Sequence, residues 1–391
     1  MLHFIKTFWP QNMKRQVREL FISTTLVNLA LSMVMLFEPI YLYQIGYSLQ
    51  KIMLFYLIVY VAYFFLMPLG ASFAKKKGYE FSILLGTILF IFFYISLFLI
   101  AQYPFLFYIS ALIYALQKTY YWPAYHADFA RFCGNDEDGR EISAMNVASS
   151  LVYIIGPALA GFIIYEWGYG ALFIISSLIF LVSNIATLAT KERFNPSDFS
   201  YKQAYKNLFS KENRQALLAY IGFGEELIVL VIWPIFISII IADVLNLGFI
   251  VTLATLVTTL VTLYIGRLTD SKNKRKILSL GSVFYSLSWF IRLSVTSSLG
   301  IFFVDTMSKL GKNIVAVPLV ALTYEKAKES EHFGQRSLMA RIVFFEMSLV
   351  VGKLIALVAV YSLLFFVTDQ LIAFKATFII AGAMTLLYML L

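Results

Sequence analysis

The side chains of this sequence that could do chemistry are charged residues inside long apolar segments. Glu225 and Glu226 are adjacent within one such segment. A later segment carries three charges at i, i+4 and i+7, which a helix places on one face: Asp305, Lys309 and Lys312. A charge at the centre of a membrane helix costs at least about 2.5 kcal/mol, so it usually faces a cavity or an opposite charge. The candidates for binding or ion coupling are Lys118, Glu225, Glu226, Asp305, Lys309, Lys312 and Glu346.

The two adjacent glutamates cannot face the same direction on a helix. One is expected to face a cavity and the other to pair with the helix that carries Glu346, and which is which stays open. Proton coupling needs a carboxylate whose ion pair forms in one state and breaks in the other, and Lys309 or Lys312 is the obvious partner. A permanent salt bridge between helices and direct contact with a charged substrate are two further interpretations, and all three stay open.

The composition indicates that the chain carrying these charges is a membrane protein. Hydrophobic residues make up 60% of the chain, charged residues 14%, and the mean hydropathy is +0.80. A membrane helix needs roughly 20 apolar residues, and lipid-exposed backbone must be hydrogen-bonded within its own segment. Twelve such runs predict an all-α membrane protein, near residues 18–44, 50–73, 80–101, 104–128, 142–165, 169–190, 215–241, 246–268, 276–297, 299–325, 337–362 and 370–391.

The distribution of basic residues predicts the orientation. Of the 31 Lys and Arg residues, 23 fall in loops on one predicted side, against Lys51 alone on the other. This asymmetry predicts a multi-pass protein of the cell membrane with both termini in the cytoplasm. The net charge of +9 therefore indicates topology and contact with anionic membrane lipid, and nucleic acid is not expected as a partner.

The chain repeats itself at an offset of 195 residues. Past the linker, beyond residue 214, the only prolines are Pro234 and Pro318, and both match first-half prolines, Pro39 and Pro123. Repeats of six helices in the same orientation are typical of one transporter class. We therefore predict three parts: an N-terminal six-helix bundle over 1–190, a cytoplasmic amphipathic linker over 191–214 and a C-terminal six-helix bundle over 215–391.

One loop and one helix carry a family resemblance. The loop at 266–275 resembles the Gly-x-Leu-x-Asp-x-x-x-basic-basic signature between the eighth and ninth helices of the major facilitator superfamily. The positions are filled by Gly266, Leu268, Asp270, Lys274 and Arg275. The stretch 156–161 is similar to the Gly-Pro-x-x-Gly-Gly signature of the family's exporters, with alanine replacing one glycine. In the fourth helix the family's drug–proton antiporters carry Arg-x-x-Gln-Gly. Here Gln117 is kept, Tyr114 replaces the arginine and Lys118 follows one turn later.

The resemblance implies twelve transmembrane helices in two pseudo-symmetric six-helix bundles, with the first, fourth, seventh and tenth helices around a central cavity. It also implies that Asp270 latches near the start of the fifth helix, at 141–145, when the cytoplasmic side is shut. The predicted cytoplasmic gate comprises Gly266, Asp270, Arg275, Lys75, Gly156 and Pro157. Further cavity-lining candidates are Glu38, Tyr121 and Trp122.

The expected function is secondary active transport by alternating access. The substrate is expected to be a small charged or zwitterionic molecule, with proton coupling, export as the direction that the Gly-Pro signature favours, and a monomeric protein. The sequence has no P-loop to bind ATP, a single cysteine and no metal-ligand spacing, so neither a cofactor nor a metal is expected. The alternative that stays open is a membrane receptor or scaffold of the same fold that transports nothing.

Overall fold

The computed structural model describes residues 15–132, 139–187, 199–266, 274–332 and 338–391. Throughout these ranges the regular secondary structure is helical. We number the membrane-crossing helices α1 to α12. Helix α1 comprises Arg15–Val34 and Phe37–Gln44, and the next three are α2 Leu49–Lys77, α3 Tyr79–Leu99 and α4 Leu106–Phe132. Helices α5 and α6 are the parts of Gly139–Thr187 before and after Gly168. Helix α7 begins at Arg214–Ile221 and ends at Trp233–Ile240. The remainder are α8 Val244–Gly266, α9 Lys274–Ile291, α10 Ser298–His332, α11 Leu338–Phe366 and α12 Gln370–Thr385.

The boundary between α5 and α6 lies at Gly168, whose φ of 78° suits glycine because it has no Cβ. The two helices run in opposite directions. Helix α5 runs alongside α1, with Asn28 bonded to Ser149 at 2.9 Å. Helix α6 runs against α3, since its first turn meets the end of α3 and Phe180 stacks on Phe90 further along. One continuous helical run therefore crosses the membrane twice.

Nine stretches within the described residues are long and apolar enough to span a membrane, and one of them contains both α5 and α6. Helices α4 and α10 lie outside this group because polar and charged side chains interrupt them, among them Lys118 and Asp305. The nine stretches contain ten crossings, and α4 and α10 bring the number to the twelve helices named above. The predicted all-α membrane fold is confirmed.

Helix α7 is irregular where it carries its two glutamates. A 3₁₀ turn at Gly222–Gly224 precedes them and a π-helical stretch at Ile228–Ile232 follows. Pro234 has no N–H to bond the carbonyl four residues earlier, which favours a local change of helical pitch. A Cβ added at Gly224 would collide with the carbonyl of Gly352, so glycine lets α7 lie directly against α11.

The halves α1–α6 and α7–α12, called the N half and the C half below, also meet through small residues. Helix α5 crosses α8 where Pro157 and Gly161 face Gly248. A Cβ at Gly161 would lie 2.7 Å from the carbonyl oxygen of Val244, and the Ala158 N–H donates to Thr252 Oγ1 at 3.0 Å. On the other side of the bundle, α2 packs against α11.

The linker helix, Tyr201–Leu208, is bonded to α2. The Tyr205 hydroxyl donates to the carbonyl oxygen of Phe64 at 3.1 Å, and that of Tyr201 donates to the next carbonyl at 3.1 Å. The Phe64 carbonyl would normally accept from residue 68, but Pro68 has no N–H. Tyr205 therefore supplies the donor that the proline removes. Below, the end of the bundle that carries this helix is called the linker end.

Candidate substrate cavity

A cavity of about 1050 Å³ lies between the two halves. At the end opposite the linker, α1 packs against α7, and Tyr43 accepts a hydrogen bond from Gln370 at 2.9 Å. Near the same end, Gln50 donates to the carbonyl of Leu364. At the linker end, by contrast, the cavity is lined by residues around the start of α7, namely Glu212, Asn213, Gln215 and Ala216, and by Arg341 near the start of α11. The cavity is thus closed at one end and reaches the linker end at the other.

Glu225 lies inside the C half. Its side chain is fully buried and accepts hydrogen bonds from Tyr285 at 2.7 Å and Tyr388 at 3.0 Å. The ammonium of Lys312 forms an ion pair with the same carboxylate. Helices α7, α9 and α10 and the 3₁₀ turn Leu386–Leu390 that follows α12 therefore meet at this one group.

Glu226 lies on the cavity wall. One of its oxygens is 3.3 Å from Lys312 Nζ and the other is 3.0 Å from Lys353 Nζ. This arrangement assigns the orientation that the sequence left open: Glu226 faces the cavity and Glu225 points into the C half. Glu226 is also the glutamate that contacts α11, whereas Glu225 contacts α10 and two tyrosines. Sequence reasoning did not place Lys353 among the candidates, although it follows Glu346 by two helical turns on the same face.

The N half contributes Glu38 and Lys118 to the cavity wall. Glu38 accepts a hydrogen bond from the Tyr56 hydroxyl at 2.8 Å. The Lys118 ammonium lies 4.2 Å from the ring centroid of Tyr114 and 5.5 Å from that of Tyr60. Among the described residues no carboxylate lies within ion-pair distance of it. The Lys353 ammonium lies 5.5 Å from the same Tyr60 ring, so one tyrosine contacts cations from both halves.

Glu346 joins the two halves. One oxygen lies 3.1 Å from His126 Nε2 on α4, and the other accepts from Tyr63 on α2 at 3.0 Å. Both partners line the cavity. From the sequence, His126 is interpreted as the solvated end of the fourth helix, with a proton relay as the alternative. Its pairing with Glu346 could not be foreseen, because the two residues are more than 200 positions apart along the chain.

Three predicted binding residues do not line this cavity: Glu225, described above, and Asp305 and Lys309. Asp305 accepts from Trp233 Nε1 at 3.1 Å and pairs with Lys309 at 2.6 Å, and Lys309 also donates to Thr255 Oγ1 at 2.8 Å. Of the three charges at i, i+4 and i+7, only Lys312 lines the cavity. Of the two aromatic candidates on α4, Trp122 lines it, whereas Tyr121 is buried in the N half and meets Phe90 edge to face. A binding or coupling role for each of these residues stays a prediction.

The predicted gate residues are spread over the molecule. Asp270 lies outside the described residues, Gly266 ends α8, Lys75 lies in the last turn of α2 and Arg275 begins α9 as an exposed residue. Gly156 packs against Ser32 of α1, where an added Cβ would collide with the serine side chain, and Pro157 faces the first turns of α8. The contacts of these last two residues are therefore between helices in the half of the bundle nearer the closed end. A part in gating stays a prediction for the whole set.

A family model described as the Major Facilitator Superfamily matches residues 20–224 of the chain. The chain belongs to this superfamily. A crystal structure of a mutant of the nucleoside transporter NupG matches with a TM-score of 0.68 and 14% identity, covering 96% of this chain and 98% of that one, which shows the fold. An uncharacterized protein of Bacillus subtilis (strain 168), YqgE, is 25% identical over 300 residues, which are 74% of this chain and 69% of the relative. Family and fold make this protein a multi-pass secondary transporter rather than an enzyme.

Proposed function

We propose that the protein is a proton-coupled transporter that carries a small charged or zwitterionic solute across the cell membrane by alternating access. The observation that supports this most directly is the network of Glu226 with Lys312 and Lys353 on the wall of the cavity. If both termini are cytoplasmic, as the basic loops predict, the linker end faces the cytoplasm and this conformation faces inward. The proposal also includes a monomeric protein and export as the direction of transport, which the signature at 156–161 favours.

The network provides a physical route for coupling. Glu226 holds cations from α10 and α11, and Lys312 has a second carboxylate partner in Glu225. Protonation of Glu226 leaves Lys312 paired but removes the ion-pair partner of Lys353. The Lys353 side chain is only 14% exposed, so an unpaired charge there is costly. The cost falls if α11 changes position or if Lys353 pairs with a ligand. Proton binding and helix movement are coupled through this one carboxylate.

The test begins with a thermal-shift screen of the purified protein against amino acids, organic acids, amines and nucleosides at acidic and neutral pH. The solute that stabilises the protein most is then loaded into proteoliposomes that contain a pH-sensitive dye. We expect a solute gradient to drive proton movement with the wild type. We expect Glu226→Gln to lose this movement and to retain solute counterflow, which needs no net proton transfer.

Glu166→Gln is the matched control, because Glu166 is exposed and lies outside the cavity. It should retain both proton movement and counterflow. Proton movement that persists in Glu226→Gln would contradict the assignment of the coupling residue. A wild type that shows counterflow without any proton movement would contradict proton coupling itself, and a protein without counterflow for any stabilising solute would support the receptor alternative.

A further inference from the structure

The cavity wall of the N half carries two opposite charges that are not paired with each other or with another ion among the described residues. Only one carboxylate oxygen of Glu38 has a hydrogen-bond partner there, the Tyr56 hydroxyl. Lys118 contacts only aromatic rings in the same part of the chain. On Glu226, by contrast, each of the two oxygens contacts a lysine. Glu38 and Lys118 are 3% and 8% exposed, so water alone satisfies them poorly.

Glu38 is bonded to Tyr56, and the Lys118 ammonium lies 5.5 Å from the ring centroid of Tyr60. Because Tyr56 and Tyr60 are one turn apart on α2, the two charges belong to the same stretch of the cavity wall, although no ion pair joins them. Glu38 is fixed by Tyr56, and Lys118 is seated over the Tyr114 ring. We expect a group placed between them to contact both. A carboxylate would accept from the Lys118 ammonium, and an ammonium would donate to the open oxygen of Glu38.

This arrangement distinguishes between classes of solute. An anion would pair with Lys118, but its negative charge would then lie close to the negative charge of Glu38. A cation would pair with Glu38, but its positive charge would lie close to that of Lys118. A zwitterion satisfies both groups and brings no net charge into the membrane. The N half also contributes aromatic side chains to the cavity wall, those of Tyr60, Phe90, Tyr114, Trp122 and Tyr153. Such walls favour an apolar or aromatic body on the solute.

We propose that Glu38 and Lys118 form the head-group subsite for a zwitterion that carries a carboxylate and an ammonium on neighbouring carbons, as amino acids do, attached to an apolar body. This inference rests on the proposed transport function and names its substrate class. The contact of Tyr60 with both Lys118 and Lys353 places the subsite next to the C-half network. A bound head group would therefore be sensed by the residues that we propose for coupling.

The test measures binding to the purified full-length protein by calorimetry. The twenty amino acids are screened first, and the tightest binder is compared with its amide, which lacks the carboxylate, and with its deaminated acid, which lacks the ammonium. We expect the zwitterion to bind at least about 100-fold more tightly than either analogue, because each analogue leaves one buried charge unpaired. Lys118→Gln should remove the preference over the amide, and Glu38→Gln the preference over the deaminated acid.

Lys118→Arg retains the cation and should restore part of the preference that Lys118→Gln loses. The matched control for Lys118 is Lys51→Gln, since Lys51 also lies over aromatic rings, those of Tyr47 and Phe107, but outside the cavity. It should bind as the wild type does. Retained preference in both Lys118→Gln and Glu38→Gln would overturn the proposal, and so would a protein that binds no amino acid. If a different class of solute drives proton movement that depends on Glu226, the transport function stands and the zwitterion subsite is wrong.

Discussion

On the C-half wall of the cavity, Lys312 and Lys353 are paired with glutamates, whereas on the N-half wall Lys118 rests on a tyrosine ring with no ion-pair partner among the described residues. Charges that are already paired can exchange partners when one of them takes up a proton, so they suit coupling. A charge that lacks a partner gains most when a ligand arrives, so it suits recognition. This contrast is the basis of our proposal that the N half binds the solute and the C half responds to it.

The internal repeat sharpens this contrast. At the offset of 195 residues, the C-half cluster of Glu225, Tyr285 and Lys312 corresponds to three N-half residues with no ionisable group: Ala30, Phe90 and Gln117. Gln117 is fully buried, and neither atom of its amide has a hydrogen-bond partner among the described residues. Equivalent positions of one duplicated fold therefore hold a saturated polar cluster in one half and an unsatisfied amide in the other.

The largest expected effect follows from breaking the C-half cluster. Lys312→Met leaves the fully buried Glu225 without its cation, and the loss of one partner of a buried ion pair costs about 3–5 kcal/mol. Thermal and chemical unfolding in detergent should show this loss. Lys51→Gln is the control, and the double variant with Glu225→Gln should recover part of the stability, because no buried charge is then left unpaired. A single variant as stable as the wild type would mean that water reaches Glu225.

Gly248→Ala tests the joint between the halves and should have the next largest effect. The added methyl group would collide with the carbonyl of Pro157, and overpacking of this kind costs about 1–3 kcal/mol. We expect a lower unfolding temperature together with a changed balance between inward and outward states, measured by spectroscopic distances between labels on the two halves. Gly300→Ala, where the nearest atom lies 3.3 Å away, should change neither quantity. Unchanged distances in Gly248→Ala would show that α5 and α8 slide freely.

Gln117 occupies the position of the repeat that is equivalent to Lys312. We expect Gln117→Met to affect stability in the opposite direction from Lys312→Met. Removing a buried amide that forms no hydrogen bond should leave stability unchanged or raise it by about 1–2 kcal/mol. The same unfolding experiments measure both variants side by side. A loss of stability comparable with that of Lys312→Met would contradict the contrast between the two halves.

The smallest effect concerns the link between the linker helix and the N half. Tyr205→Phe removes the donor to the Phe64 carbonyl, which lost its helical partner to Pro68, and we expect a loss of about 1 kcal/mol. Tyr201→Phe should cost less, because the carbonyl of Phe65 can still accept from residue 69 within the helix. Hydrogen exchange of α2 should rise more for Tyr205→Phe. An equal increase of hydrogen exchange in the two variants would contradict the role that we assign to Pro68.

The sequence predicted the helices well because length and apolarity alone determine which segments can cross a membrane. Several helix ends were misplaced by four to seven residues. At the end opposite the linker, α9 ends at Ile291 rather than 297 and α11 ends at Phe366 rather than 362. At the linker end, α10 reaches His332 rather than 325 and α2 ends at Lys77 rather than 73. Charged residues in these last turns lie beyond the apolar run but remain helical. The repeat, the loop signature and the family assignment agree, and all three depend on local residue order.

The site was less accessible to prediction. Glu226 and Lys312 were among the candidates and do line the cavity, but so were Asp305 and Lys309, which contact Trp233 and Thr255 instead. Spacing shows which residues share a face of a helix, yet not the direction in which that face points. The polar and apolar residues of α10 do not separate into one clearly apolar face, so hydropathy does not determine its rotation.

The amino-acid sequence by itself determined that this chain forms membrane helices, that it is built from two similar halves, and that charges lie within the apolar layer. Tertiary structure alone decided which charges meet: Glu226 with Lys353, Glu346 with His126, and Lys118 with two tyrosines instead of a carboxylate. The reason is that burial of apolar surface depends mainly on composition along the chain, whereas an ion pair depends on the rotation of two helices to within a few ångströms. That rotation is set by the packing of small residues such as Gly224 and Gly352.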